Sequence, residues 1–287
     1  MSGAGDDCAL LEIGAERLAL SIDLSVEDVH FRVGWLDYRE IGYRAAAASL
    51  SDLAAVAATP VALLVSLAAS PEWPEDRTAE VMEGVGEAAA SVNAQVVGGD
   101  LVRGDRLIVD VAVLGRLGDR PVLRSGAVPG DGLWVTGRLG GPGEALRAWL
   151  AGETPDDAAR ERFARPAPRV APGEWLRDRG AHAMIDLSDG LWPDTHHIAA
   201  ASTVACSLEL ERIPLHASAT DARAAVVSGE EYELLVALPE EFNHAAEFTG
   251  RFGLDLTRVG TVAAGSGATL LADGVAVDPP VGFRHFK

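Results

Sequence analysis

The chain has 287 residues, 48% of them hydrophobic, and a formal net charge of −19. That length allows one large domain or two modest ones with a real core. The acidic balance argues against a nucleic-acid or anionic-membrane surface, and the single lysine, Lys287, excludes a P-loop, a kinase strand lysine and a Schiff base.

Cys8 and Cys206 form no CxxC pair, so no zinc knuckle or redox motif is indicated and a reduced, cytoplasmic setting is expected. The opening residues have neither the basic nor the apolar region of a signal peptide. No apolar run reaches membrane-spanning length.

Gly5-Asp6-Asp7 precedes an apolar stretch; two acids after a glycine mark either a surface turn or a ligand pair. Residues 18–23 read as a strand ending on Asp23, with Asp28, His30 and Phe31 beyond it. A lone histidine such as His30 is by default structural or solvent-facing. Residues 40–58 form a long Ala-rich helix holding Asp52 among apolar neighbours, where a carboxylate is costly without a partner. Residues 61–68 resume as a strand, and 76–92 form an amphipathic helix. The next strand, 95–100, ends on Asp100 after Gly98 and Gly99, which permit close backbone approach. Residues 106–116 alternate as a further strand. The loop from Arg124 to Asp131 is rich in turn formers, and the domain boundary is placed near 120 to 130.

Residues 132–135 form a strand leading into a glycine-rich turn at 137–143. Such a turn either cradles an anion on its N–H groups or is a plain loop; it has neither Walker A nor GxGxxG spacing. Residues 155–179 are helical and charged. Then Ile185-Asp186-Leu187-Ser188-Asp189-Gly190-Leu191 places two carboxylates and a hydroxyl at a strand-to-helix turn. Hard divalent cations take such oxygen clusters, whereas the bland alternative is that Ser188 or Asp189 caps the helix. In the helix that follows, His196 and His197 point different ways, so one is expected to face solvent. Residues 207–210 read as a strand, Ser228-Gly229-Glu230-Glu231-Tyr232-Glu233 as an acidic turn entering another, and 240–253 as a helix. In the tail, Phe283 and Phe286 either cover a ligand or close the core.

Asp7, Asp23, Asp52, Asp100, Asp186 and Asp189 all stand at strand ends or in apolar surroundings. Their repulsion would oppose folding unless cations lay among them. With no lysine to meet a triphosphate, Mg2+ ions joining aspartate to phosphate oxygens are the natural alternative, and the chemistry is phosphoryl transfer.

The ordered set of motifs resembles the thiamine-monophosphate kinase family of the AIR-synthetase-like (PurM-like) superfamily. It comprises Gly5-Asp6-Asp7-Cys8-Ala9, Asp23 with Val29-His30-Phe31, Leu50-Ser51-Asp52-Leu53, Gly98-Gly99-Asp100, Arg124-Ser125-Gly126-Ala127, Asp186-Leu187-Ser188-Asp189-Gly190, Ser228-Gly229-Glu230 and Gly282-Phe283. The resemblance implies a two-domain α/β protein. Residues 1–125 would bind ATP and Mg2+ and pair with a second subunit into a dimer barrel, and 126–287 would form the C-terminal α/β domain. It implies ATP-dependent phosphorylation of thiamine monophosphate to thiamine diphosphate by a cytoplasmic homodimer, without nucleic acid or membrane. Asp7, Ser21, Asp23, Asp52, Asp100, Asp186 and Asp189 would hold several Mg2+ ions. Gly99, Asp100, Arg124 and Ser188 would contact ATP, and His30, Glu230 and Phe283 would line the thiamine phosphate site. No residue is assigned as general base.

Four positions depart from the family pattern. Ile22 stands for a usual threonine, Asp28 for a glycine, Leu101 for a threonine and Glu231 for an aspartate. They motivate one alternative, a related enzyme that activates a different acceptor as an acyl or imidoyl phosphate; the lack of an interior lysine leaves a second, a catalytically inactive metal- and nucleotide-binding dimer.

Overall fold

The computed structural model describes residues 5–73 and 75–282. The chain forms two compact units, Met1–Asp119 with Ala164–Val170, and Arg120–Phe163 with Ala171–Lys287.

Unit one contains β1 (Ala9–Ile13), β2 (Glu16–Val26), α1 (Tyr38–Ala55), β3 (Thr59–Ala69), α2 (Glu75–Ser91), β4 (Gln95–Arg103) and β5 (Ile108–Arg116). The strands form a five-stranded sheet in the order β1-β2-β5-β3-β4, in which only the β3–β4 pair is parallel. A capping box starts α1: Glu40 N donates to Asp37 Oδ1 at 2.7 Å, and Asp37 N donates to Glu40 Oε2 at 2.9 Å. The backbones of α1 and α2 nearly touch, since a Cβ on Gly42 would sit 1.9 Å from the Val81 carbonyl oxygen.

Strand alternation gives this sheet two unlike faces. Val109, Val111, Val113, Leu63, Val65 and Leu67 are buried on the face that α1 packs against. Leu20, Ile22, Leu24 and Leu64 stand exposed on the other. β2 and β4 run on past Asp23 and Asp100, so both acids lie inside strands and not at their ends.

The remaining elements are β6 (Gly132–Thr136), α3 (Gly141–Leu150), α4 (Asp157–Ala164), α5 (Val170–Asp178), β7 (Ala183–Asp186), α6 (Leu191–Ser202), β8 (Ala205–Glu209), α7 (Ala222–Ala225), β9 (Leu234–Leu238), α8 (Ala245–Phe252), β10 (Leu256–Ala263), β11 (Gly267–Ala272) and β12 (Val275–Val277). Unit two is built on a seven-stranded sheet ordered β12-β11-β8-β10-β6-β9-β7. Its core gathers Leu133, Val135, Ile185, Leu187, Leu235 and Val259. The helix expected over 240–253 is shorter, because residues 239–242 form a turn in which Phe242 N donates to Pro239 O at 2.9 Å. No helix among the described residues is long and apolar enough to cross a membrane.

Candidate functional site

In unit one, three sequence-selected oxygen donors come together. Asp52 sits in the last turn of α1, and its Oδ2 accepts from Ser21 Oγ on β2 at 2.5 Å. Asp7, 7% exposed, offers a carboxylate oxygen within 4.8 Å of one from Asp52. The nearby sulfur is turned to the backbone, with Cys8 Sγ 3.4 Å from Asp52 O. Asp23 lies two residues beyond Ser21 on the same, helix-covered face of β2. The donor set is therefore carboxylate and hydroxyl oxygen, which fits a hard divalent cation such as Mg2+ and not a soft one.

Asp100 does not join this set within the unit. The ladder pairs it with Ser66, Ser66 with Asp110, and Asp110 with Leu24, which places Asp100 on the open apolar face. Asp23 pairs with Val111 on the opposite face. The glycine before Asp100 is required: a Cβ on Gly99 would sit 1.7 Å from Val65 O. On the same open face, desolvation holds the Asp110 carboxyl above its ordinary value.

His30 belongs to the turn after β2, where Val26 N donates to His30 Nδ1 at 3.0 Å. Asp28 in that turn has φ 65°, the left-handed region, which explains why a glycine suits the position and why aspartate, one of the few other residue types enriched there, is tolerated.

In unit two, Asp186 ends β7 and is 2% exposed, while Ser188 and Asp189 are exposed at the turn into α6. The helix cap itself is Gly190, without a side-chain cap bond, and Asp194 Oδ2 accepts from Gly190 N at 3.0 Å. Neither Ser188 nor Asp189 is thus the cap, and the capping alternative for them falls away. Asp189, Asp194 and His197 each offer a ligand atom within 4.8 Å of the others. The i,i+3 spacing of Asp194 and His197 was the available signal for that grouping. Both histidines of the pair are exposed, not one: His196 packs edge-on to Trp192 at 4.7 Å, and His197 stands with the acids. Burial lowers the His197 pKa, Arg124 adds to the fall and Asp189 opposes it. Arg124 is held by its backbone, since Ser202 Oγ donates to Arg124 O at 3.0 Å and accepts from Gly126 N and Ala127 N at 3.1 Å.

The N–H groups of the glycine-rich turn at 137–143 are taken by side-chain acceptors of the chain itself. Gly140 N donates to Glu231 Oε1 at 2.5 Å, and Gly143 N donates to Ser228 Oγ at 3.1 Å. Glu231 is wholly buried, and desolvation pushes its carboxyl up to about 7 against the pull of Arg162, Gly140 N–H and Ser228. Glu230 is half-buried, and its Oε2 accepts from Tyr232 Oη at 2.7 Å. Phe283 lies outside the described residues.

Two family models match the chain, the N-terminal domain of AIR synthase related proteins over residues 5–117 and the C-terminal domain over 128–273. A thiamine-monophosphate kinase of Mycobacterium tuberculosis is 34% identical over 285 residues, covering 99% of this chain and 85% of that protein. A solved structure described as AaThiL complexed with AMPPCP and TMP superposes with TM-score 0.87 and 29% identity, covering 98% of this chain and 91% of that one. The thiamine-monophosphate kinase of Stenotrophomonas maltophilia K279a superposes with TM-score 0.84 and 35% identity, covering 96% and 92%. Together these matches run through both units in sequence and in fold, and the chain belongs to the thiamine-monophosphate kinase family.

Proposed function

We infer that the chain transfers the γ-phosphoryl group of ATP to thiamine monophosphate, giving ADP and thiamine diphosphate. The observation that carries this is the oxygen cluster of Asp7, Ser21 and Asp52 in a chain related over its length to thiamine-monophosphate kinases. In unit one Asp7, Ser21, Asp23 and Asp52 would hold Mg2+ as one set and Asp100, on the open face, would do so apart from it; in unit two Asp186 and Asp189 would do so. The ions would supply neutralisation of phosphate charge that no lysine among the described residues provides.

The remaining residues bind and orient. Gly99, Asp100, Arg124 and Ser188 contact ATP; His30, Glu230 and Phe283 contact thiamine monophosphate. A phosphate oxygen of thiamine monophosphate attacks the γ-phosphorus, and the bond from that phosphorus to the ADP oxygen breaks. A phosphate monoester has its second pKa near 6, roughly, so at neutral pH the attacking oxygen carries no proton to remove. The absence of an assigned general base then follows from the acceptor, and positioning is the enzyme's main task.

The open apolar face of the unit-one sheet supports a homodimer that pairs these faces; in this reading residues 1–125 are the nucleotide-binding and dimerising part and 126–287 the second domain. Ile22 and Leu64, 62% and 51% exposed, are large side chains to leave in water. The family departures leave the donors in place. Ile22 points to the open face, away from Ser21 and Asp23, and Asp28 adopts the glycine-like backbone. The test is product analysis with ATP, Mg2+ and thiamine monophosphate. Thiamine diphosphate should form; ATP turnover indifferent to thiamine monophosphate would instead point to another acceptor.

A further inference from the structure

We propose that Glu231 is a positioning residue: from beneath, its buried carboxylate fixes the Glu230–Tyr232 segment, and with it the Leu187–Asp189 turn, against the glycine-rich turn at 137–143. The inference rests on the reading of Glu230 as a thiamine phosphate contact and of Ser188 as an ATP contact.

Three observations carry it. Glu230 and Tyr232, on either side of Glu231, both have left-handed backbones, with φ 65° and 50°. Each is a strained backbone for a residue with a side chain, so the surroundings must over-determine them. Their N–H groups are also the clamps on the neighbouring turn: Glu230 N donates to Ser188 O at 2.7 Å and Tyr232 N to Leu187 O at 2.8 Å. Below them lies a polar network in the core. Gly140 N donates to Glu231 Oε1, Arg162 donates to the Glu231 carbonyl and to Glu233 Oε1 at 2.7 Å, and Thr136 Oγ1 donates to Glu233 Oε2 at 2.6 Å.

A leucine would pack such a site at less cost than a desolvated carboxylate. What the carboxylate adds is register, because only residue 231 reaches Gly140 N–H from this segment. The family's nucleotide- and substrate-facing residues at 188 and 230 then inherit their positions from a side chain that touches neither ligand.

The test compares Glu231→Gln with Glu231→Met. Both fill the volume, but only glutamine keeps the acceptor for Gly140. Steady-state kinetics would be read beside amide exchange at Glu230 and Tyr232. The glutamine variant should keep its KM for thiamine monophosphate within about twofold of the wild type. The methionine variant should raise that KM about tenfold or more with a smaller change in kcat, and should speed exchange at both amides about tenfold. Unchanged KM and exchange in a folded methionine variant would overturn the proposal, as would a lower melting temperature with unchanged KM. Should that variant fail to fold, the wild type still decides: exchange at Gly140, Glu230 and Tyr232 must share one protection factor within about threefold, and independent values would overturn it. Exchange needs no turnover, so a chain inactive on thiamine monophosphate would sink the functional reading and leave this one to be judged alone.

Discussion

Ser21 Oγ donates to Asp52 Oδ2 at 2.5 Å, tying β2 to the last turn of α1 where Asp7 also brings a carboxylate oxygen. Asp52→Asn keeps volume and acceptor while removing the charge. We expect kcat/KM for ATP to fall about 10²–10³-fold, as for loss of a positioned electrostatic group. Without Mg2+ the variant should melt no lower than the wild type, since a like-charge contact with Asp7 is relieved. Unchanged kinetics would mean that Asp52 holds no cation.

Gly99 is the second lever. A Cβ there would sit 1.7 Å from Val65 O, at a φ of 156°. Gly99→Ala should destabilise unit one by about 2 kcal/mol or more, through steric clash and backbone strain. Denaturant unfolding measures this, and a midpoint unchanged from the wild type would contradict the packing described.

The open face of the unit-one sheet predicts a dimer that a single charge breaks. Ile22 is 62% exposed, so Ile22→Glu should leave the fold and its melting curve nearly intact. Light scattering should report a dimer for the wild type and a monomer for the variant. A wild-type monomer would remove the dimer reading.

Glu231 gives a pH prediction with a definite sign. Burial raises its carboxyl from an ordinary 4.5 to about 7, so the folded chain holds a proton that the unfolded chain releases. The stability this proton confers is intact below about 4.5 and is lost as pH rises through about 7, a change of roughly 3 kcal/mol in all. Glu231→Gln should abolish that component. The wild type should lose stability relative to the variant from pH 5 to pH 8, on the scale those principles set; parallel curves would contradict the burial.

Much of this was legible in the residues. α1 announces itself as a long alanine-dense stretch, and Asp52 stands out because a carboxylate in such surroundings needs a reason. The face of Asp100 was not legible. β4 slips by one residue, so that Leu63 pairs with Val96 but Leu64 with Gly98, and a one-residue slip reverses every later side chain. β10, β11 and β12 escape periodicity because Thr257, Arg258 and Thr261 interrupt the first and glycine turns shorten the others. Glu231 reads only as one acid of a turn beside Glu230 and Glu233, since nothing local says that Gly140, far away in sequence, meets it. The turn at 137–143 reads equally as an anion cradle or a plain loop, and which acceptors meet its N–H groups is decided by long-range packing.

Titration calorimetry with a non-hydrolysable ATP analogue, with Mg2+ and then with chelator, tests the central claim most directly. The paired carboxylates of Asp7 and Asp52 should repel a naked triphosphate and accept it only with the cation. The account predicts saturable binding with Mg2+, none with chelator, and at least about tenfold weaker binding for Asp52→Asn. Equal affinity with and without Mg2+ would contradict it.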